Sequence, residues 1–496
     1  MVDELLARHR PFGDSEYLHE HLHVRYKQRL GRLAATIPVA GELARALDDA
    51  TDDVRYRVIG DPVVRNTIHQ AQRHDAPQPE HEEIFRETIR LLKEGSAGGP
   101  LEAGGGNVRR IGAAPGYGWV WSEAHSDDVF GRAFRKIVHE NFGGQPLMTP
   151  KPDDLALLAK GATLLRLLMP LTSHSVLGHT HLVVLVPHAG TWSRKGSCSE
   201  FRISGTIFIN RKMLQNPWWV AEHLLHESLH QKLYDFRHTH SLLTEDLTPE
   251  TTENVARVSA IWNVGGAHPV NYWDAFRAVV AFHVYVHQAV VCLQTERRMA
   301  ELASRFGSPY GVAPAMTNKR DALERAQYLG RKIKELCWPE LGPAGRFLVD
   351  WLLSVLQGLD AAPPPLETSY IHLLLHRYLV EAVTIAGKKL PPELEAALLG
   401  VIADEADTIA GVLRVIDAEG PDSGRLQEAS VRRPDQAVGA EFLRFRNVVA
   451  TILQKFSADG YGLRRPPSPE SIALEQRIQA MVERSSQSLI AVLQAA

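Results

Sequence analysis

Cysteine is scarce in this chain: Cys198, Cys292 and Cys337 are the three in 496 residues. Cysteines so few and so widely separated suit a reducing cytoplasm better than a disulfide framework, and none pairs with another at metal-ligand spacing. No apolar run reads as long enough to span a bilayer, and the opening segment MVDELLARHR lacks the apolar centre of a signal peptide. The expectation is therefore a cytoplasmic protein with no membrane partner. Charge of one sign is also missing. The 55 basic and 58 acidic residues leave a formal charge of −3 with no long basic run, which argues against nucleic acid as a partner. The glycine-rich segment 95–118 has no Lys-Ser/Thr after its glycines, so it makes no phosphate cradle.

What remains is an ordinary globular composition, 44% hydrophobic and 23% charged, in a chain long enough for two or three domains. Helical periodicity dominates, and the expected class is mainly α (α+β). Two β-rich runs, HLVVLVP (181–187) and FRISGTIFIN (201–210), form a small sheet beside the central helix. A helix is predicted over 152–168. Three regions follow: an N-terminal helical region 1–118 ending in the glycine-rich loop, a core 119–300, and a C-terminal helical region 301–496. Linkers are expected at 361–366, 418–437 and 460–468.

The chemistry concentrates in His226-Glu227-Ser228-Leu229-His230. At i and i+4 two imidazoles leave one helix face close enough to share a metal ion, and the carboxylate between them can accept a proton. Asn216 is a good N-cap, Pro217 suits the first helical position, and Trp218 to Leu233 contains neither Pro nor Gly. Trp219, Val220, Leu224, Leu225, Leu229 and Leu233 predict a buried helix, with Arg237 and His238 just past its end. Buried histidines need partners, and a metal supplies them.

Spacing alone is weak evidence. With 23 histidines, about one His-x-x-x-His pair arises by chance, and four occur: His19/His23, His226/His230, His283/His287 and His372/His376. The first also matches HExxH, but it lies in GDSEYLHEHLHVRYKQR, where charge on every face predicts a solvated helix. A catalytic metal requires a third ligand and open positions. His283 is favoured, on the apolar helix DAFRAVVAFHVYVHQAV, with His287 as second choice. Glu253, 23 residues beyond His230, is the rival; helix-start chemistry after Thr251 and Thr252 explains it equally well. Two histidines plus Glu253 on zinc, with Glu227 as general base, would be a peptidase. Three nitrogen ligands with open positions would suit iron(II) and a bidentate co-substrate.

The succession GSCSEFRISGTIFIN, WWVAEHLLHESLHQKLYD, TTENVARVSAIWN and WDAFRAVVAFHVYVHQAV resembles the HExxH-type 2-oxoglutarate-dependent peptide β-hydroxylases of ribosomal peptide natural-product clusters. The likeness covers roughly residues 180–295. It implies a zincin-like motif helix and Fe(II) held by His226, His230 and a downstream histidine, here most like His283. It also implies 2-oxoglutarate and O₂ as co-substrates and hydroxylation at a β-carbon of a peptide, such as a ribosomal precursor. Glu227 would then face substrate or support the ligands. Arg277 is the candidate clamp for the oxoglutarate carboxylate, with Arg257 or Arg202 as alternatives.

Overall fold

The computed structural model describes residues 2–7, 9, 11–73, 78–94, 108–110, 119–123, 128–193, 195–244, 258–265, 271–359, 371–416, 420–458 and 469–495. The chain is mainly helical with a small sheet, as its periodicity predicts. It divides into two compact units: Met1–Leu243 with Val286–Lys319 and Gly342–Leu348, and Thr244–Tyr285 with Arg320–Leu341 and Val349–Ala496. That division does not follow the boundaries expected at 118 and 300. The regions 1–118 and 119–243 share one unit.

The first unit holds a five-stranded sheet in the order β1-β2-β3-β5-β4, where β1 is Val108–Arg110, β2 Trp119–Trp121, β3 Leu182–Val186, β4 Ser197–Ser199 and β5 Thr206–Asn210. β3 and β5 pair in parallel with Val184 opposite Phe208, and every residue of both is buried. A continuous run such as LVVLV suits a strand covered on both faces. β4 pairs antiparallel with β5 and ends the sheet. The second strand starts at Thr206 rather than 201, because Phe201–Ile203 form a 3₁₀ turn and Gly205 takes φ 91°. A Cβ at Gly205 would also come within 2.6 Å of the Gly60 carbonyl oxygen, so glycine is required twice over.

Among the helices of this unit, α1 (Ser15–Leu33), α2 (Asp52–Gly60), α3 (Pro62–Arg73), α4 (Pro152–Leu168) and α5 (Pro217–Thr239) carry the features of interest. α1 is not a solvated helix. Leu18, Leu22, Tyr26, Leu30 and Leu33 form a buried stripe, and α1 packs on α5. Its charged residues fill the other faces and mask a narrow apolar seam at steps of three and four. α5 begins as its sequence predicts: Asn216 Oδ1 accepts from the Trp218 amide at 2.8 Å, ahead of Pro217 at the first position. It continues to Thr239, past the expected end, so Arg237 and His238 lie in its last turn. α4 lies against α5 at Gly161, where a Cβ would come within 2.3 Å of the Val220 side chain.

α6 (Ala275–Phe306) contributes its first residues to the second unit and the rest, from Val286, to the first. It is long and apolar enough to cross a membrane, with a window of mean hydropathy 1.5, contrary to the expectation from the sequence. Seventy-two per cent of that window is buried inside the protein, which is how a core helix behaves.

The second unit contains a two-stranded ribbon, β6 (Val258–Ser259) with β7 (Tyr272–Trp273). Its helices include α7 (Ile371–Ala386), α8 (Pro392–Ile416), α9 (Pro421–Ser430), α10 (Val438–Ala458) and α11 (Pro469–Ser488). α7 packs on α10 and α11, and α8 packs on α10 and α11. α9 occupies part of the stretch expected as a linker at 418–437; Gly420 at its N-cap and Pro421 at its first position are ordinary start signals. The linkers expected at 361–366 and 460–468 lie outside the described residues.

In the first unit His69 on α3 and His238 on α5 lie with ring centroids 4.8 Å apart and planes tilted by 42°. Burial first, then the guanidinium groups of Arg29, Arg65 and Arg73, pushes His69 down to about 3. Burial, then His69 and Arg29, holds His238 well below the ordinary range. Both histidines are thus neutral in the folded state and titrate near 6.5 when unfolded. The unfolded chain binds the extra protons below pH 6.5, so stability falls as pH drops from 6.5 towards 3 and is unaffected by them above it. The expected loss is about 1 kcal/mol per histidine for each pH unit. Urea denaturation at pH 7 and pH 5 checks this, and a His238→Phe variant should flatten the acid limb; an unchanged limb would refute it.

Candidate metal centre

On α5 the rings of His226 and His230 lie with centroids 4.9 Å apart and planes at 75°. One helical turn places both on one face, as i,i+4 spacing requires. Glu222, one turn earlier, is buried, and its Oε1 lies 3.7 Å from His226 Nδ1, an ion-pair distance. Glu222 Oε1 also accepts from Gln288 Nε2 of α6 at 3.0 Å, and its Oε2 contacts His223 Nδ1. Burial works to raise the Glu222 carboxyl, but His223 and His226 outweigh it and hold the group below its usual value. A carboxylate at Nδ1 favours a proton there and turns the Nε2 lone pair of His226 outward, the tautomer a metal ligand needs. His226 keeps a side-chain exposure of 32%, so the pair is reached from solvent.

Glu227 points towards the sheet. Its Oε1 accepts from Ser197 Oγ on the edge strand β4 at 2.6 Å. Its Oε2 is buried and has no hydrogen-bond partner among the described residues. A carboxylate oxygen left bare in the interior costs about 1–3 kcal/mol unless something else meets it. Such an oxygen fits a site completed by a bound group. Beside Ser197, burial, then Glu227, pushes the Cys198 thiol up to about 12. One turn beyond His230, the ring of Tyr234 lies 6.3 Å from the His230 ring. Burial raises the Tyr234 phenol well above its usual range, so its hydroxyl keeps its proton.

The structure therefore sets three groups against the motif that it does not contain: Glu222 beside His226, Ser197 on Glu227, and Tyr234 one turn beyond His230. Glu222 and Tyr234 were legible as members of an i,i+4 series with His226 and His230. Ser197 was not, because its approach depends on β4 folding back on β5. His283 is buried and belongs to the second unit; His287, one turn later on α6, is buried and belongs to the first. Within the first unit, no third ligand-type side chain among the described residues brings a donor atom within 4.8 Å of both motif histidines. Glu253 and Arg257 lie outside the described residues. Arg277 is exposed in the second unit, its guanidinium 5.0 Å from the centre of the Trp273 ring, and Arg202 is exposed on the 3₁₀ turn before β5. His372 and His376 sit on α7, both pushed down chiefly by burial. No protein-family model matches this chain, and no curated protein does.

Proposed function

We propose that the protein is an Fe(II)- and 2-oxoglutarate-dependent oxygenase that hydroxylates a β-carbon in a peptide, with His226 and His230 as metal ligands. The observation that carries this reading is the facing imidazole pair with Glu222 set behind His226. A third imidazole completes the set in this proposal, with His283 favoured and His287 as the alternative. The chemistry a bound iron supplies is the coupling of O₂ reduction to oxoglutarate decarboxylation, which places one oxygen atom on the peptide and the other in succinate.

The chain's own groups have definite tasks. Glu222 orients His226, and Ser197 fixes the Glu227 carboxylate beside the pair. Tyr234 offers a protonated hydroxyl one turn further on. β4 ends the sheet, so its outer edge can hold an extended peptide by main-chain hydrogen bonds. A cytoplasmic setting agrees with three cysteines that are all free thiols.

Anaerobic addition of Fe(II) and 2-oxoglutarate should produce a metal-to-ligand charge-transfer band, and admission of O₂ with substrate peptide should release succinate. Failure to develop the band with both components present would overturn the proposal. One observation favours a second reading, a zinc peptidase: the unpartnered Glu227 Oε2 is where a general base for water would sit. That reading predicts cleavage of peptides without O₂.

A further inference from the structure

The first unit contains a cavity of about 610 Å³ whose walls include Ser15, His19, Glu20, His23, Tyr56 and Gly178. His19, Glu20 and His23 of the HExxH on α1 line this cavity; Glu20 is exposed as expected, while His19 is half-buried. The His179 ring lies with its centroid 4.7 Å from that of His19, the planes tilted by 43°. His179 is fully buried; its Nδ1 lies 2.6 Å from Asp235 Oδ2, and its Nε2 lies 3.3 Å from Ser15 Oγ. Asp235 is fully buried too, and its Oδ1 accepts from Arg65 at 2.6 Å. One donor atom from each of His19, His179 and Asp235 lies within 4.8 Å of the other two.

We propose that His19, His179 and Asp235 form a second metal site, taking a divalent transition ion of the zinc class at the wall of this cavity. Two imidazole nitrogens and a carboxylate oxygen are the donor set such an ion prefers, and three protein ligands leave a position open to the cavity. A hydrogen-bonded network alone accounts for Arg65, Asp235 and His179, which satisfy one another. It does not account for His19, whose Nε2 is buried without a hydrogen-bond partner among the described residues. The two ring nitrogens of His179 point well apart, so an ion shared with Asp235 takes the place of the proton between His179 Nδ1 and Asp235 Oδ2, while Asp235 Oδ1 keeps Arg65.

The site is separate from the His226–His230 centre and does not rest on that assignment. Asp235 follows His230 by five residues, which turns it about 140° around α5. The two groups thus use different faces of one helix.

Zinc titration of the metal-free 496-residue chain by calorimetry tests this, using the wild type, a His226→Ala/His230→Ala variant, and that variant with His19→Phe added. Phenylalanine keeps a ring against Tyr56 and His179. The double variant should retain one equivalent of zinc, and adding His19→Phe should weaken it by about 100-fold or more. Circular dichroism confirms that the variants fold. A His19→Ala replacement in the same background should give the same loss. A double variant that binds no zinc, or an affinity untouched by both His19 changes, would overturn the second site. Wild-type stoichiometry unchanged in the double variant would instead count against the His226–His230 centre.

Discussion

Replacement of His230 by alanine is expected to lower oxygen-dependent turnover by on the order of 10³-fold and to release the metal from α5. The motif pair lies on one turn with rings 4.9 Å apart, so loss of one ring leaves a single protein donor there. A metal contributes several kcal/mol to the reaction it promotes, and each 1.36 kcal/mol is a factor of ten in rate. Glu227→Gln separates the two chemistries. Glutamine keeps the acceptor for Ser197 Oγ and the volume of the side chain, so the helix and the imidazoles should stay in place. In an oxygenase the carboxylate takes no proton from water, and the variant should retain its metal, its charge-transfer band and most of its turnover. In a zinc peptidase the same variant would hold zinc and lose cleavage by about 10²-fold or more. Metal analysis and succinate release, measured on both variants, decide the matter. A His230→Ala protein that turns over at the wild-type rate would remove the metal assignment altogether.

The elements that the sequence announced are those whose signals are local. Asn216 and Pro217 start α5 because a side-chain acceptor and a preset φ act within one turn, and β3 is one unbroken run of branched and apolar residues. The pairing of His226 with His230 is likewise fixed by helical pitch. Signals that depend on tertiary contact were not legible. β1, β2 and β4 have three residues each, too few to show a period, and exist because a neighbouring strand completes their hydrogen bonds. α1 reads as solvated because Glu16, Glu20, Arg25 and Lys27 surround a narrow apolar seam; its burial is decided by α5, remote in sequence. His19 and His179 are 160 residues apart, and nothing in either neighbourhood points to the other. α6 differs: its burial agrees with the reading of DAFRAVVAFHVYVHQAV as an apolar helix, while the presence of an apolar run long enough to cross a bilayer does not show in that segment alone. Periodicity reports how much of a helix is apolar and leaves open what covers it.

The largest stability effect is expected in the second unit, from Arg446→Met. Arg446 is fully buried on α10, where it donates to Glu381 Oε2 at 3.0 Å, Glu405 Oε1 at 2.6 Å and the Tyr378 carbonyl at 2.9 Å. The Tyr378 hydroxyl donates to the other oxygen of Glu405, and Ser486 donates to Glu381. Arg377, also buried, lies 3.9 Å from Glu381 and 3.3 Å from the half-exposed Glu483, so two cations face two buried carboxylates and a third at the rim of this core. Removing Arg446 leaves an uncompensated negative charge in the interior, which costs about 3–5 kcal/mol because desolvation is no longer repaid. Glu405→Gln added to Arg446→Met restores neutrality: Arg377 still faces Glu381, and the amide oxygen can accept from Tyr378. The double variant should therefore recover at least half of the loss, giving a favourable coupling between the two sites in a double-mutant cycle. Urea denaturation, followed by a probe on α7 or α10, measures each corner. Purely additive losses would mean that Arg446 acts by packing against Phe442 and Tyr378 rather than by balancing charge. Tyr378→Phe keeps the ring and removes only the hydroxyl, so packing predicts little loss from it, whereas the charged network predicts about 1–3 kcal/mol, the loss of one hydrogen bond to a charged acceptor.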